Sequence, residues 1–131
     1  MTQSPAPTTL SNLNLLVTNV EVSQRFYEQA LGLTLDVRRS APPAMLILQT
    51  ASGCSLSLKD AQTEAAEKRA GPGDIELGFE TQDLDTVHAA LQTFGVMVTE
   101  IQEQGFGRTF DARDPDGHHL VIYTLHPENR P

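Results

Sequence analysis

LNLLVTNVEVSQRFYEQALGL, residues 13–33, sets out a strand, a helix and the helix's stop in one run. Its opening from Leu13 to Thr18 is apolar and β-branched, the signature of a strand. Asn19 follows, and its side-chain oxygen can accept the free N–H groups of a first helical turn. Val22, Phe26 and Ala30 then recur at helical spacing, with Leu33 shortly after, so the next segment reads as a helix with one apolar face. Gly32 stands at its end, where a left-handed residue is wanted and glycine adopts it without strain. Further along, Leu33–Arg38, Ala44–Gln49 and Cys54–Lys59 read as three more strands, punctuated by Pro42-Pro43 and Ser52-Gly53.

The same order of signals then returns. IELGFETQDLDTVHAALQTFGV, residues 75–96, holds an alternating strand, a capping Asp83, a helix and a terminating Gly95. Leu84, Val87, Leu91 and Phe94 line one face of that helix. Val96–Ile101, Arg108–Arg113 and His118–Thr124 read as strands, and Asp114-Pro115-Asp116-Gly117 has strong turn chemistry. An offset of 64 residues lays Asn12 on Glu76, Asn19 on Asp83, Gly53 on Gly117 and Leu56 on Leu120. Few such pairs are identities; the order of structural signals is what repeats.

The chain is therefore expected to be one α+β domain of two tandem βαβββ units, residues 10–59 and 74–125. Residues 60–73 read as a linker, with helix formers but weak amphipathicity at Ala61–Ala70; residues 1–9 and 126–131 read as tails. Neither unit alone can bury a four-stranded sheet face, whereas two units closing on each other bury both and leave a cavity. Read from the residues alone, the pairing also allows a ferredoxin-like arrangement.

Composition narrows the function. The 131 residues suit one core, and 39% of them are hydrophobic. Seventeen acidic against 9 basic residues give a formal charge of −8, which disfavours nucleic acid and suits a cationic ligand. No apolar run approaches the ~20 residues of a membrane span, and Met1–Thr9 is no signal peptide, so a cytoplasmic location is expected. The one cysteine, Cys54, excludes an internal disulfide and reads as a buried free thiol.

Leu15-Leu16-Val17-Thr18-Asn19, then Phe26-Tyr27 and Leu31-Gly32-Leu33, resemble the opening of vicinal oxygen chelate proteins, the glyoxalase, bleomycin-resistance and extradiol-dioxygenase superfamily. Leu77-Gly78-Phe79-Glu80 with Asp83-Leu84-Asp85 is similar in the second unit. Phe106-Gly107-Arg108-Thr109-Phe110 through Asp114-Pro115-Asp116-Gly117 resembles that family's final hairpin. The resemblance runs from Leu10 to Leu125. It implies mixed sheets that curve into a cup enclosing a ligand cavity, and a homodimer.

It also implies a metal test. Enzymes of the family hold a divalent metal with His and Glu from the first and last strands of each unit. The matching slots here are Asn12 and Glu76, seven residues before the capping residue, and Ser57 and Val121, four after the turn glycine. One carboxylate among four slots does not hold a divalent metal tightly. His119 shares a strand face with Val121, but two ligands are too few. His118 points to the other face, His88 reads as exposed, and His126 lies in the tail. No metal and no cofactor are expected.

Strand alternation nominates the cavity wall. Asn12, Asn14, Ser57, Glu76, His119, Val121 and Tyr123 are candidate ligand-binding residues, with Phe106 bordering the mouth. Arg108 reads as part of an ordinary hairpin. Leu13, Leu15, Val17, Leu56, Leu58, Ile75, Leu77, Phe79, Leu120 and Ile122 occupy the opposite faces and should pack beneath the helices. Glu76 is the single candidate for a catalytic base. The expected function is a metal-free protein that sequesters a small planar or basic compound, as in the bleomycin-resistance branch. The alternatives are a metal-dependent lyase, isomerase or dioxygenase of the same superfamily, and a metal-free enzyme using Glu76.

Overall fold

The computed structural model describes residues 6–7, 10–63 and 75–129. Strand β1 (Asn12–Val17) leads into helix α1 (Val20–Leu31), followed by β2 (Thr34–Leu35), β3 (Met45–Gln49) and β4 (Ser55–Asp60). The second unit repeats this as β5 (Glu76–Glu80), α2 (Leu84–Phe94), β6 (Gln102–Gln104), β7 (Gly107–Arg113) and β8 (His119–Leu125). Two four-stranded sheets result, sheet A in the order β1-β4-β3-β2 and sheet B in the order β5-β8-β7-β6. In each, the first and last strands run parallel and the others antiparallel. The 3-10 turn at Ala61–Thr63 follows β4, and the rest of the expected helix-forming linker lies outside the described residues. Among the described residues, no helix is long and apolar enough to cross a membrane.

Local chemistry sets the helix ends. Asn19 Oδ1 accepts from Val22 N at 3.1 Å, and Gly32 and Gly95 close the two helices at φ 72° and 95°. Asp83 occupies the matching cap position without a side-chain bond to the helix; its own N–H donates to Thr81 Oγ1 instead. The expected apolar faces form the core. Leu56, Leu58, Leu77, Leu120 and Ile122 are buried against both helices, with Leu13, Leu15 and Phe79 packed on them. Ile75 departs from this: it precedes β5 and is 73% exposed.

Two strand expectations change. Leu33–Arg38 yields only the two-residue β2, because Asp36 accepts from Arg39 N and Gln49 Nε2 and turns the chain. The Gln49 hydrogen bond is the main cause holding the Asp36 carboxyl below its usual range. Val96–Ile101 makes a single bridge, Val98 to Ala112, and the strand forms later at the polar Gln102–Gln104 edge. His88 is not fully exposed: Nε2 meets the Thr99 carbonyl at 2.9 Å and the ring packs edge-on against Phe110.

The two units are joined by a polar clamp, buried at Tyr27 and Asp114 and exposed at Thr18, that a residue-by-residue reading does not anticipate. Tyr27 Oη donates to Asp114 Oδ2 at 2.7 Å, and Asp114 Oδ1 accepts from Asp116 N and His118 N. Asp116 Oδ1 accepts from the N and Oγ1 of Thr18, and His118 Nε2 lies 3.1 Å from the Leu16 carbonyl. Burial, then the neighbouring Asp114 charge, pushes the Tyr27 hydroxyl well above its usual pKa, so it stays a donor. Phe26 adds an apolar seam, edge-on to Phe94 of α2 at 5.1 Å between centroids.

Candidate functional site

Away from the helices, the two sheets carry polar residues, as alternation demands, but their faces differ. On sheet A the polar groups satisfy one another. Asn12 Oδ1 accepts from Ser55 Oγ at 2.6 Å and from Ser57 Oγ at 2.9 Å, and Asn12 Nδ2 donates to Asn14 Oδ1. Ser55 and Ser57 are buried, and Arg39 reaches over to Ser55. Three of the expected ligand-binding residues, Asn12, Asn14 and Ser57, are thus linked by hydrogen bonds through Asn12, and Asn14 is exposed.

Sheet B is open. Register brings Glu76, Gly78 and Glu80 on β5 beside His119, Val121 and Tyr123 on β8. Asp111 on β7 lies opposite Val121. His119 Nδ1 is 3.2 Å from Glu76 Oε2, and its Nε2 is 3.6 Å from Asp111 Oδ1. Gly78 and Val121 leave a low floor between these groups. The Tyr123 ring edge borders Gly78, and Phe106 packs edge-on against Tyr123 at 6.3 Å. A separate hollow of about 210 Å³ lies beside β6 and β7, where Asp111 and Thr109 line it and Glu76, Gly78, His119 and Tyr123 do not. The face therefore offers three carboxylates, one imidazole and two aromatic rings around a shallow floor. It can hold a planar cation by charge and ring contact.

Asp111 was not anticipated as a site residue. It shares the parity of Thr109 on its strand, so counting alternate positions across the register would have found it. Arg108 lies on the opposite, helix-facing side, where it grips Asp85 through two bonds of 3.1 Å. That hydrogen bonding, and then the guanidinium charge, holds the Asp85 carboxyl below its usual range. Arg108 thus joins β7 to α2 and does not border the site.

The four slots that would hold a metal do not fit one. Val121 offers no donor, and the Asn12 oxygen already accepts two hydroxyl bonds that also occupy Ser57. Glu76 and Asp111 contact different nitrogens of His119, so the three point at the ring from separate directions and not at a common centre. Among the described residues, no group of three or more His, Cys, Asp or Glu gathers as a metal-binding set.

A larger space lies elsewhere. A cleft of about 980 Å³ opens between sheet A and β5, with Glu76 and Tyr123 on its wall. Asn12, Asn14, Ser57, Phe106, His119 and Val121 do not line it.

Two mixed βαβββ sheets, each with one helix against it and polar residues on its other face, define a paired-repeat α+β protein of the glyoxalase type. The chain belongs to the Glyoxalase/Bleomycin resistance protein/Dioxygenase superfamily, whose family model matches residues 9–122. No curated protein matches the sequence. Among solved structures, a glyoxalase/bleomycin resistance protein/dioxygenase family enzyme from Burkholderia phytofirmans superposes with a TM-score of 0.79 at 15% identity, covering 91% of this chain and all of that one. TnmS3, an antibiotic binding protein from Streptomyces sp., gives 0.74 at 24% identity, covering 94% of this chain and 100% of that one. A lactoylglutathione lyase from Agrobacterium tumefaciens gives 0.68 at 16% identity, covering 92% of this chain and 96% of that one. At these identities the shared property is the fold.

Proposed function

We propose that this protein is a metal-free binder of a small planar cation, held on the open face of sheet B. The arrangement of Glu76, His119 and Asp111 carries the reading: acids surround the low Gly78–Val121 floor without converging as a metal set. Glu80 and Tyr123 extend the same face, and the formal charge of −8 favours cation capture. The similarity in fold to an antibiotic binding protein supports a sequestering role toward a basic natural product. Family resemblance supports a homodimer.

The reading that Glu76 is a catalytic base is weaker. Its side chain is 59% exposed, so it lacks the dry surroundings that make a carboxylate an effective base.

Glu76→Gln is expected to weaken N-methylquinolinium, a planar cation, by roughly fivefold, the scale of one partly exposed ion pair. Isothermal titration measures it, and the effect should shrink as salt rises. Unchanged affinity would remove Glu76 from the site.

A further inference from the structure

The cleft beside β5 is the place where the two halves of the repeat stop matching. Under the 64-residue offset, Thr50, Ser52 and Cys54 correspond to Asp114, Asp116 and His118. In one half, the long polar trio reaches across to Tyr27, Thr18 and the Leu16 carbonyl and closes the junction between units. In the other half the trio is short. Thr50 Oγ1 turns back to the Cys54 carbonyl and to Ser52 Oγ, and among the described residues a cleft lies where the other half has its clamp.

The opening is about 980 Å³, at the upper end of small-molecule sites. Leu13, Leu33, Leu56 and Val87 give it an apolar wall. Leu10 and Ile75, 76% and 73% exposed, stand at its edge. Glu76 and Glu80 supply charge on the β5 side, and no Lys or Arg is among the described residues that line it. Apolar wall and acidic end together suit a molecule with a hydrocarbon part and a positive head.

We propose that this cleft takes the apolar tail of an amphiphilic cation whose head rests on the open face of sheet B. The proposal builds on the cation site, because Glu76 and Tyr123 belong to both spaces. It adds that the ligand is a head and tail and that the tail lies between the units.

Cys54 makes this measurable, since it lines the cleft and is the sole cysteine. The probes are N-methylquinolinium, N-decylquinolinium below its micelle-forming concentration, and decanoate. Burial of about three of the added methylenes should tighten the decyl compound on the order of 50-fold over the methyl one. At about ten times its Kd, it should slow maleimide alkylation of Cys54 roughly tenfold. N-methylquinolinium should bind without protecting Cys54, and decanoate should do neither. Ser52→Trp, at an exposed position, should narrow the cleft and remove the gain from the tail while leaving N-methylquinolinium affinity unchanged. If N-methylquinolinium binds but the decyl chain adds nothing, or Cys54 stays reactive, the cleft proposal fails alone. Protection by decanoate would overturn its charge requirement. If neither quinolinium binds, the cation site fails and the tail proposal falls with it.

Discussion

Replacing Phe26 by alanine is expected to destabilise the protein by about 3–5 kcal/mol, the range for truncating a fully buried aromatic. Phe26 is 0% exposed and stands at the junction of the two helices. Its ring meets Tyr27 at 4.9 Å and Phe94 at 5.1 Å, both edge-on, an arrangement that adds to plain area burial. The neighbours are fixed by their helices and sheets, so they cannot collapse fully into the space. Urea unfolding measures the loss as a shift in midpoint at constant slope. A loss below ~1 kcal/mol would mean that the seam between α1 and α2 is not a cooperative part of the core.

Asp114→Ala is expected to cost about 3 kcal/mol by the same measurement, through unmet hydrogen bonds and not through lost volume. Asp114 is 3% exposed and accepts three bonds, from Tyr27 Oη and from the N–H groups of Asp116 and His118. Truncation strands a buried hydroxyl and loosens the turn that carries Asp116 to Thr18. Asp114→Asn keeps an acceptor toward the backbone and should retain part of the stability. Equal losses for Ala and Asn would assign the effect to what both variants lack, the charge and the second oxygen that accepts from Tyr27. Because Phe26 and Asp114 both touch Tyr27, their effects should not add.

Much of the fold was legible because its signals are local. Asn19, Gly32 and Gly95 act within one turn of chain, and the alternation of Leu13, Leu15 and Val17 states which face is buried. The edges were not legible. The apolar stretch Val96–Ile101 promised a strand, yet the strand formed at Gln102–Gln104, where an exposed edge needs no apolar face. The clamp was invisible for a different reason: Thr18 and Asp116 lie 98 residues apart, and nothing in a turn motif names its distant partner.

The candidate site was half legible. Parity placed Glu76, His119 and Tyr123 on one face, as register confirms. It could not say that Asn12 and Ser57 spend their hydrogen bonds on each other, because that depends on how closely β1 and β4 approach. Nor could it reveal the cleft, which lies beside Thr50, Ser52 and Cys54 where the other half has the clamp residues Asp114, Asp116 and His118.

Capture of a planar cation on the open face of sheet B, without a metal, is open to thermal unfolding of the metal-stripped protein, titrated in parallel with N-methylquinolinium and with nickel, zinc or manganese ions. A melting temperature that rises with N-methylquinolinium and stays put with each metal is the predicted result. A rise with a divalent ion, accompanied by one bound ion per chain, would contradict it.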